Sequence, residues 1–106
     1  GVFALDVARE TGGSITAVTE EEIVDGIELL ARTTGIFTET AGGVTTAVLA
    51  RLAREGRIDP SERVVVFITG DGLKTLDAVA GRVRRHPIEP TVAIFEAAVG
   101  EARLIA

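Results

Sequence analysis

This sequence has no cysteine and no methionine, and only one histidine and one lysine. Without cysteine, neither disulfides nor thiolate metal sites are available. A single histidine, His86, leaves little scope for a histidine metal site or a Ser-His-Asp triad, so no metal is expected. Long apolar runs are missing as well. No stretch approaches the roughly 20 residues that a membrane helix needs, and the opening residues carry no signal-peptide pattern. A cytoplasmic location with no membrane partner is the expectation. Positive charge is not in excess: the formal net charge of −5 argues against a nucleic-acid-binding surface. The absence of methionine extends to position 1, and Gly1-Val2-Phe3-Ala4-Leu5 reads as the interior of a helix with no cap before it. Both features fit a piece of a longer chain.

What is present is globular in kind. With 46% hydrophobic and 25% charged residues, the chain is not a disordered one. Its 106 residues make one domain or part of one. Phe3, Ala4, Val7 and Ala8 predict a helix that Gly12-Gly13 stops. Ser14 to Thr19 is short and β-branched, and reads as a strand. Thr19-Glu20-Glu21-Glu22 is a capping box: Thr19 caps the first amides and Glu22 reaches back. Ile23, Ile27 and Leu30 then share one helical face up to Gly35. Gly35 to Gly43 reads as a short extended piece. Val44, Val48 and Leu52 predict a helix closed by Gly56, and Asp59-Pro60-Ser61-Glu62 a turn. Leu76, Val79, Ala80 and Val83 predict a further helix, with Arg82, Arg84 and Arg85 at its end. Pro87 and Pro90 break the chain. Beyond them Val92, Phe95 and Val99 stand at helical spacing, while Val92 and Ile94 also alternate as an edge strand would.

The centre of this pattern is Val64-Val65-Val66-Phe67-Ile68, followed by Thr69-Gly70-Asp71-Gly72-Leu73-Lys74. A continuous apolar run of that length reads as a strand buried on both faces, as in a parallel sheet. Alternating helices and strands give an α/β unit. Only two or three strands are visible, which is more natural as part of a larger sheet. Ligands of open α/β sheets bind outside the carboxyl ends of the strands, which is where Thr69 and the glycine turn fall. On spacing alone, an ordinary strand-to-helix turn also accounts for Thr69-Gly70-Asp71-Gly72.

Three stretches resemble the threonine synthases, within the fold type II pyridoxal-phosphate enzymes. They are Gly12-Gly13-Ser14 with the capped helix start, Ala31 to Gly42, and Thr69 to Lys74. Together they span most of residues 1–80. The family pattern for the second is Gly-Ile-Phe-X-Glu-Pro-Ala-Gly, and this chain has Thr40 at the proline place. The pattern for the third is Thr-Gly-X-Gly-Leu-Lys, with Asp71 at the variable place. The resemblance implies a three-layer parallel-sheet unit, part of the large domain of a tryptophan synthase β-like enzyme. Residues 1–85 would be the C-terminal part of that domain and 86–106 a helical tail.

The resemblance also implies a chemistry: O-phosphohomoserine and water converted to threonine and phosphate by a pyridoxal 5'-phosphate enzyme. The implied cofactor-binding residues are Thr69, Gly70 and Glu39. Thr69 would hydrogen-bond the pyridine nitrogen, leaving it largely unprotonated and the ring a weaker electron sink. Gly70 and Gly72 allow close approach of a flat ring. Glu39 would lie near the ring, although a solvated loop acid reads equally well. Ala41-Gly42-Gly43 opens a helix whose amides suit an anion, yet close packing on a neighbour is the better reading. Lys74 is not the Schiff-base lysine, which the family places far upstream, so no catalytic residue is expected here. Lys74 reads as a salt-bridging or helix-starting residue. The remainder of the parent chain and a second copy, as a homodimer, are the implied partners. The 106 residues alone are expected to be inactive. The alternatives are a threonine or serine dehydratase, which tends to carry Ser or Cys at the place of Thr69, and a non-enzymatic flavodoxin-like binding module. A purely structural interaction domain is a third.

Overall fold

The Thr19 hydroxyl accepts from the Glu22 amide at 3.2 Å, and the Thr19 amide donates to Glu22 Oε2 at 2.8 Å. The capping box is therefore closed in both directions, and helix α2 runs from it over Glu20–Thr34. Gly35 ends α2 at φ +76°, a left-handed conformation that glycine takes without penalty. The computed structural model describes residues 1–103. Its other elements are α1 (Val2–Glu10), α3 (Thr40–Arg54), a 3₁₀ segment (Gly72–Val79) and α4 (Val92–Arg103).

Helix α3 starts four residues before the position that the apolar pattern predicts. Gly42 and Gly43 lie inside its first turn and are buried, instead of ending an extended piece. The reason is packing against α2. A Cβ on Gly26 would stand 2.4 Å from Gly43 O, and one on Gly43 would stand 2.6 Å from Ile23 O. The two backbones touch at this crossing. Each glycine costs a helix interior about 1 kcal/mol relative to alanine, and the close approach offsets it. Ile27 and Ala47 fill the seam beside the glycines, Ile27 only 2% exposed. Thr46 is buried there too, its hydroxyl donating to Gly42 O at 2.8 Å.

Arg51 fastens the other end of the crossing. It pairs with Glu22 and donates to Ala17 O at 2.9 Å, so the segment before α2 is tied to α3. The Arg51 hydrogen bond, followed by that of the Thr19 amide, holds the Glu22 carboxyl down from 4.5 to about 2. Glu22 in turn pushes Arg51 up.

Two expectations change in the second half. Among the described residues no strand pairs into a sheet; the only β-type contact is an isolated antiparallel bridge between Thr38 and Asp71. Ser14–Thr19 and Val64–Ile68 have no neighbour to ladder with. Val65 and Phe67 stand 79% and 77% exposed, where a strand buried on both faces was expected. The helix predicted through Val83 is instead the shorter 3₁₀ segment. It leaves helical geometry at Thr75 (φ −132°, ψ 42°), and Gly81 follows at φ +83°. Arg82 lies beyond that segment and reaches Asp25 and Glu28 of α2 at 3.4 and 3.5 Å. After Pro90 the helical spacing prevails over the alternating one, as α4.

The chain does not close around its own core. Its accessible surface is 8270 Å², against about 5,700 Å² for a folded monomer of this mass. Its radius of gyration is 17.8 Å, against about 13 Å for a compact domain of this length. Large apolar side chains stand exposed on it, notably Val2 and Phe3 of α1, Val65 and Phe67 of the apolar run, and Val92 and Phe95 of α4.

Two outcomes follow from the crossing. Gly26→Ala or Gly43→Ala is expected to destabilise by about 2 kcal/mol in urea unfolding, because backbone must move. Gly100→Ala in α4, where the added methyl meets nothing, is expected to be neutral or stabilising. The second outcome concerns acid. A carboxyl depressed from 4.5 to about 2 contributes stability that is present above pH 4.5 and is lost as pH falls through about 2. Thermal melts across that window are expected to fall less steeply for Glu22→Gln than for the unaltered chain.

Candidate functional site

The start of α3 and the turn after Ile68 meet in one place. Phe37 to Thr40 runs along Gly70 to Thr75. The Glu39 amide donates to Gly70 O and the Gly72 amide to Phe37 O, both at 3.1 Å. Thr38 adds a third bond, its hydroxyl donating to the same Gly70 O at 3.1 Å. Thr38 is 1% exposed, so this hydroxyl has no recourse to water and its pairing is obligatory. Asp71 shapes the turn by accepting from the Leu73 amide at 2.8 Å. Thr75 then reaches back, and its hydroxyl accepts from the Thr40 amide at 3.2 Å. That bond caps α3 from outside, since Glu39 at the N-cap position gives its helix no side-chain bond.

The glycines of this junction leave no room. A Cβ on Gly42 would fall 1.9 Å from Thr38 Oγ1, one on Gly72 2.5 Å from the Phe37 ring, and one on Gly70 1.9 Å from Glu39 Oε1. The Glu39 carboxylate thus lies directly over Gly70. It is 18% exposed and pairs with Lys74 Nζ at 3.4 Å, Lys74 itself being 62% exposed.

Of the residues singled out in the sequence, Glu39 and Gly70 are brought into contact. Thr69 adjoins Gly70 along the chain, is exposed, and its hydroxyl takes no partner among the described residues. Lys74 makes a salt bridge, as its place suggested. The glycines at the start of α3 serve helix packing, and the Thr40 amide there is taken by Thr75. His86 is exposed, and among the described residues no three acidic or histidine side chains gather as a metal site would require. Thr38 and Thr75 were not singled out. Thr38 carries no local signal, because the carbonyl it meets is 32 residues away. Nothing local marks Thr75, because its partner is 35 residues away.

Residues 1–70 match the family described as "Pyridoxal-phosphate dependent enzyme". The chain is 49% identical over 86 residues to the threonine synthase of Methanocaldococcus jannaschii, covering 81% of this chain and 21% of that protein. It is 36% identical over 75 residues to the threonine synthase of a Bacillus species, covering 71% and 21%. It is also similar to the cysteate synthase of Methanoregula boonei, at 31% over 105 residues, covering 95% and 23%. The chain spans about a fifth of the length of the curated relatives it matches.

The junction separates two kinds of glycine. Gly42→Ala strikes a buried threonine with nowhere to go, and a loss of about 2 kcal/mol is expected in urea unfolding. Gly70→Ala strikes the end of a long side chain that can swing to water, and is expected to cost under about 1 kcal/mol while displacing Glu39.

Proposed function

The chain belongs to the pyridoxal-phosphate dependent enzyme family, and we propose that it builds the pyridine-nitrogen side of the cofactor site in a threonine synthase. The longer protein would convert O-phosphohomoserine and water to threonine and phosphate. The observation that carries this reading is the Thr69–Gly70–Glu39 junction. An exposed hydroxyl with no partner among the described residues stands beside a glycine whose carbonyl accepts two hydrogen bonds, from the Glu39 amide and the Thr38 hydroxyl.

The residues fit the group. A ring nitrogen needs a polar partner, and Thr69 offers a neutral one with no competing bond among the described residues. Gly70 is anchored through its carbonyl to Thr38 and Glu39, so the backbone beside the hydroxyl is held before binding. Thr69 would hold the nitrogen, with Gly70 and Glu39 bordering it. When bound, pyridoxal phosphate supplies an electron sink for replacement and elimination chemistry at the substrate's β and γ carbons. The chain's own part is to bind and orient the ring. A hydroxyl at the nitrogen favours its neutral form, where a carboxylate would favour protonation. The lysine that carries the cofactor, the phosphate site and most substrate contacts would be contributed by the remainder of the longer chain.

The same reading gives the exposed apolar faces a purpose. Val64–Ile68 would pair into a parallel sheet of the large domain, which accounts for an apolar run whose Val64, Val65 and Phe67 are exposed here. Residues 1–85 would belong to that domain and 86–106 to its tail. A homodimer and a cytoplasmic location complete the proposal. No helix among the described residues is long and apolar enough to cross a membrane.

A second reading keeps the cofactor and changes the substrate, because the relative with 95% coverage of this chain is named a cysteate synthase. Product analysis on the longer protein, threonine against cysteate, separates the two. Cofactor binding is tested on the same protein and on the 106-residue chain alone. A visible cofactor band in the longer protein only, with the borohydride-fixed adduct upstream of Gly1, is the expected outcome. An adduct on Lys74 would overturn the assignment. Thr69→Ala is expected to weaken cofactor binding about fivefold, the worth of one hydrogen bond, with Thr69→Ser near the unaltered value.

A further inference from the structure

Glu39 is the acid that lies over Gly70, the residue after Thr69, and its position is unusual for its place in the chain. It is the N-cap residue of α3, where an acid ordinarily turns toward the helix amides and their partial positive charge. Its side chain makes no such bond. It lies instead over Gly70, with Oε1 in the space a Cβ there would need. The first amide of the helix, that of Thr40, is taken by the Thr75 hydroxyl.

A carboxylate only 18% exposed needs a partner in that place. Asp71, the neighbouring acid, is occupied by the Leu73 amide. The cation facing Glu39 is Lys74, with Nζ 3.4 Å from Oε2. Lys74 follows Gly70 by four residues, across the turn that Asp71 shapes. The acid and the base therefore close over the turn from its two sides.

We propose that Lys74 is a positioning residue of the cofactor site. It holds Glu39 down on Gly70, and through Gly70 it fixes the turn that presents Thr69. It also balances the Glu39 charge beside the position assigned to the ring nitrogen, leaving the neutral hydroxyl as the group the nitrogen meets. This rests on the reading of the site as the pyridine-nitrogen side of a pyridoxal-phosphate pocket. Lys74 touches neither cofactor nor substrate in this role. The pair is partly exposed, so screening keeps its effect modest.

The test is a double-mutant cycle on the longer protein, read as the equilibrium affinity of the apoprotein for pyridoxal phosphate. Lys74→Met is expected to weaken binding by roughly two- to fivefold, the range of a partly screened ion pair. Lys74→Arg is expected to restore it. In a Glu39→Gln background, Lys74→Met is expected to change nothing further, since its partner is gone. The proposal is overturned by an unchanged affinity in Lys74→Met, by a loss of equal size in the Glu39→Gln background, or by failure of Lys74→Arg to rescue. Absence of cofactor binding by the unaltered protein would bring down the functional reading along with this one. Binding by the unaltered protein with an inert Lys74→Met would bring down this one alone.

Discussion

Two helices can approach until their backbones touch only where neither presents a side chain. α2 and α3 do this at Gly26 and Gly43, and the junction that carries Thr69 depends on that contact. It sets the distance between the helices to a value a single methyl would forbid. Ile27 and Ala47 are buried because the seam beside the glycines is that narrow. The Glu22–Arg51 pair can span the same seam further along for the same reason. With α3 fixed, its first residues are fixed as well. Thr38 and Glu39 then stand where Gly70 can dock, and Gly42 leaves the opening that Thr38 occupies. The order of dependence runs from a backbone contact to a buried threonine, and from there to the turn that carries Thr69.

The helices were legible in the sequence to the extent that their signals were local. The capping box at Thr19 and Glu22 and the stop at Gly35 each reside within one turn of chain, and the structure has both. The start of α3 was misplaced because glycine is read as a stop when its neighbours in space are unknown. Gly42 and Gly43 are helical because α2 lies against them, and a linear pattern does not state that. The Leu76–Val83 pattern overstated the helix for a related reason. Thr75 departs from helical geometry where its hydroxyl meets an amide of α3. The site was half legible: Glu39 and Gly70 could be named from motif resemblance. Their clasp through Thr38, and the cap from Thr75, depend on contacts across more than 30 residues.

The apolar runs teach a complementary lesson. Val64 to Ile68 carries the composition of a buried strand, yet Val65 and Phe67 face outward. Composition reports what a segment is suited to, and pairing reports whether a neighbour is there. A strand needs hydrogen-bonding partners on its edges, which no other segment of these 103 residues supplies. The surface excess over a compact monomer measures the same deficit. It falls on the run, α1 and α4, whose large apolar side chains stand exposed.

The cap of α3 by Thr75 has a consequence for synthesis. Most helices carry the group that finishes their first turn within a residue or two of that turn, so they can start as soon as they leave the ribosome. Here the finishing hydroxyl is encoded 35 residues downstream of the amide it serves. During vectorial translation the first turn of α3 must wait, at the usual elongation rates, for a few seconds before its partner emerges. α2 and the body of α3 can associate in that interval, but the site at their junction is assembled last.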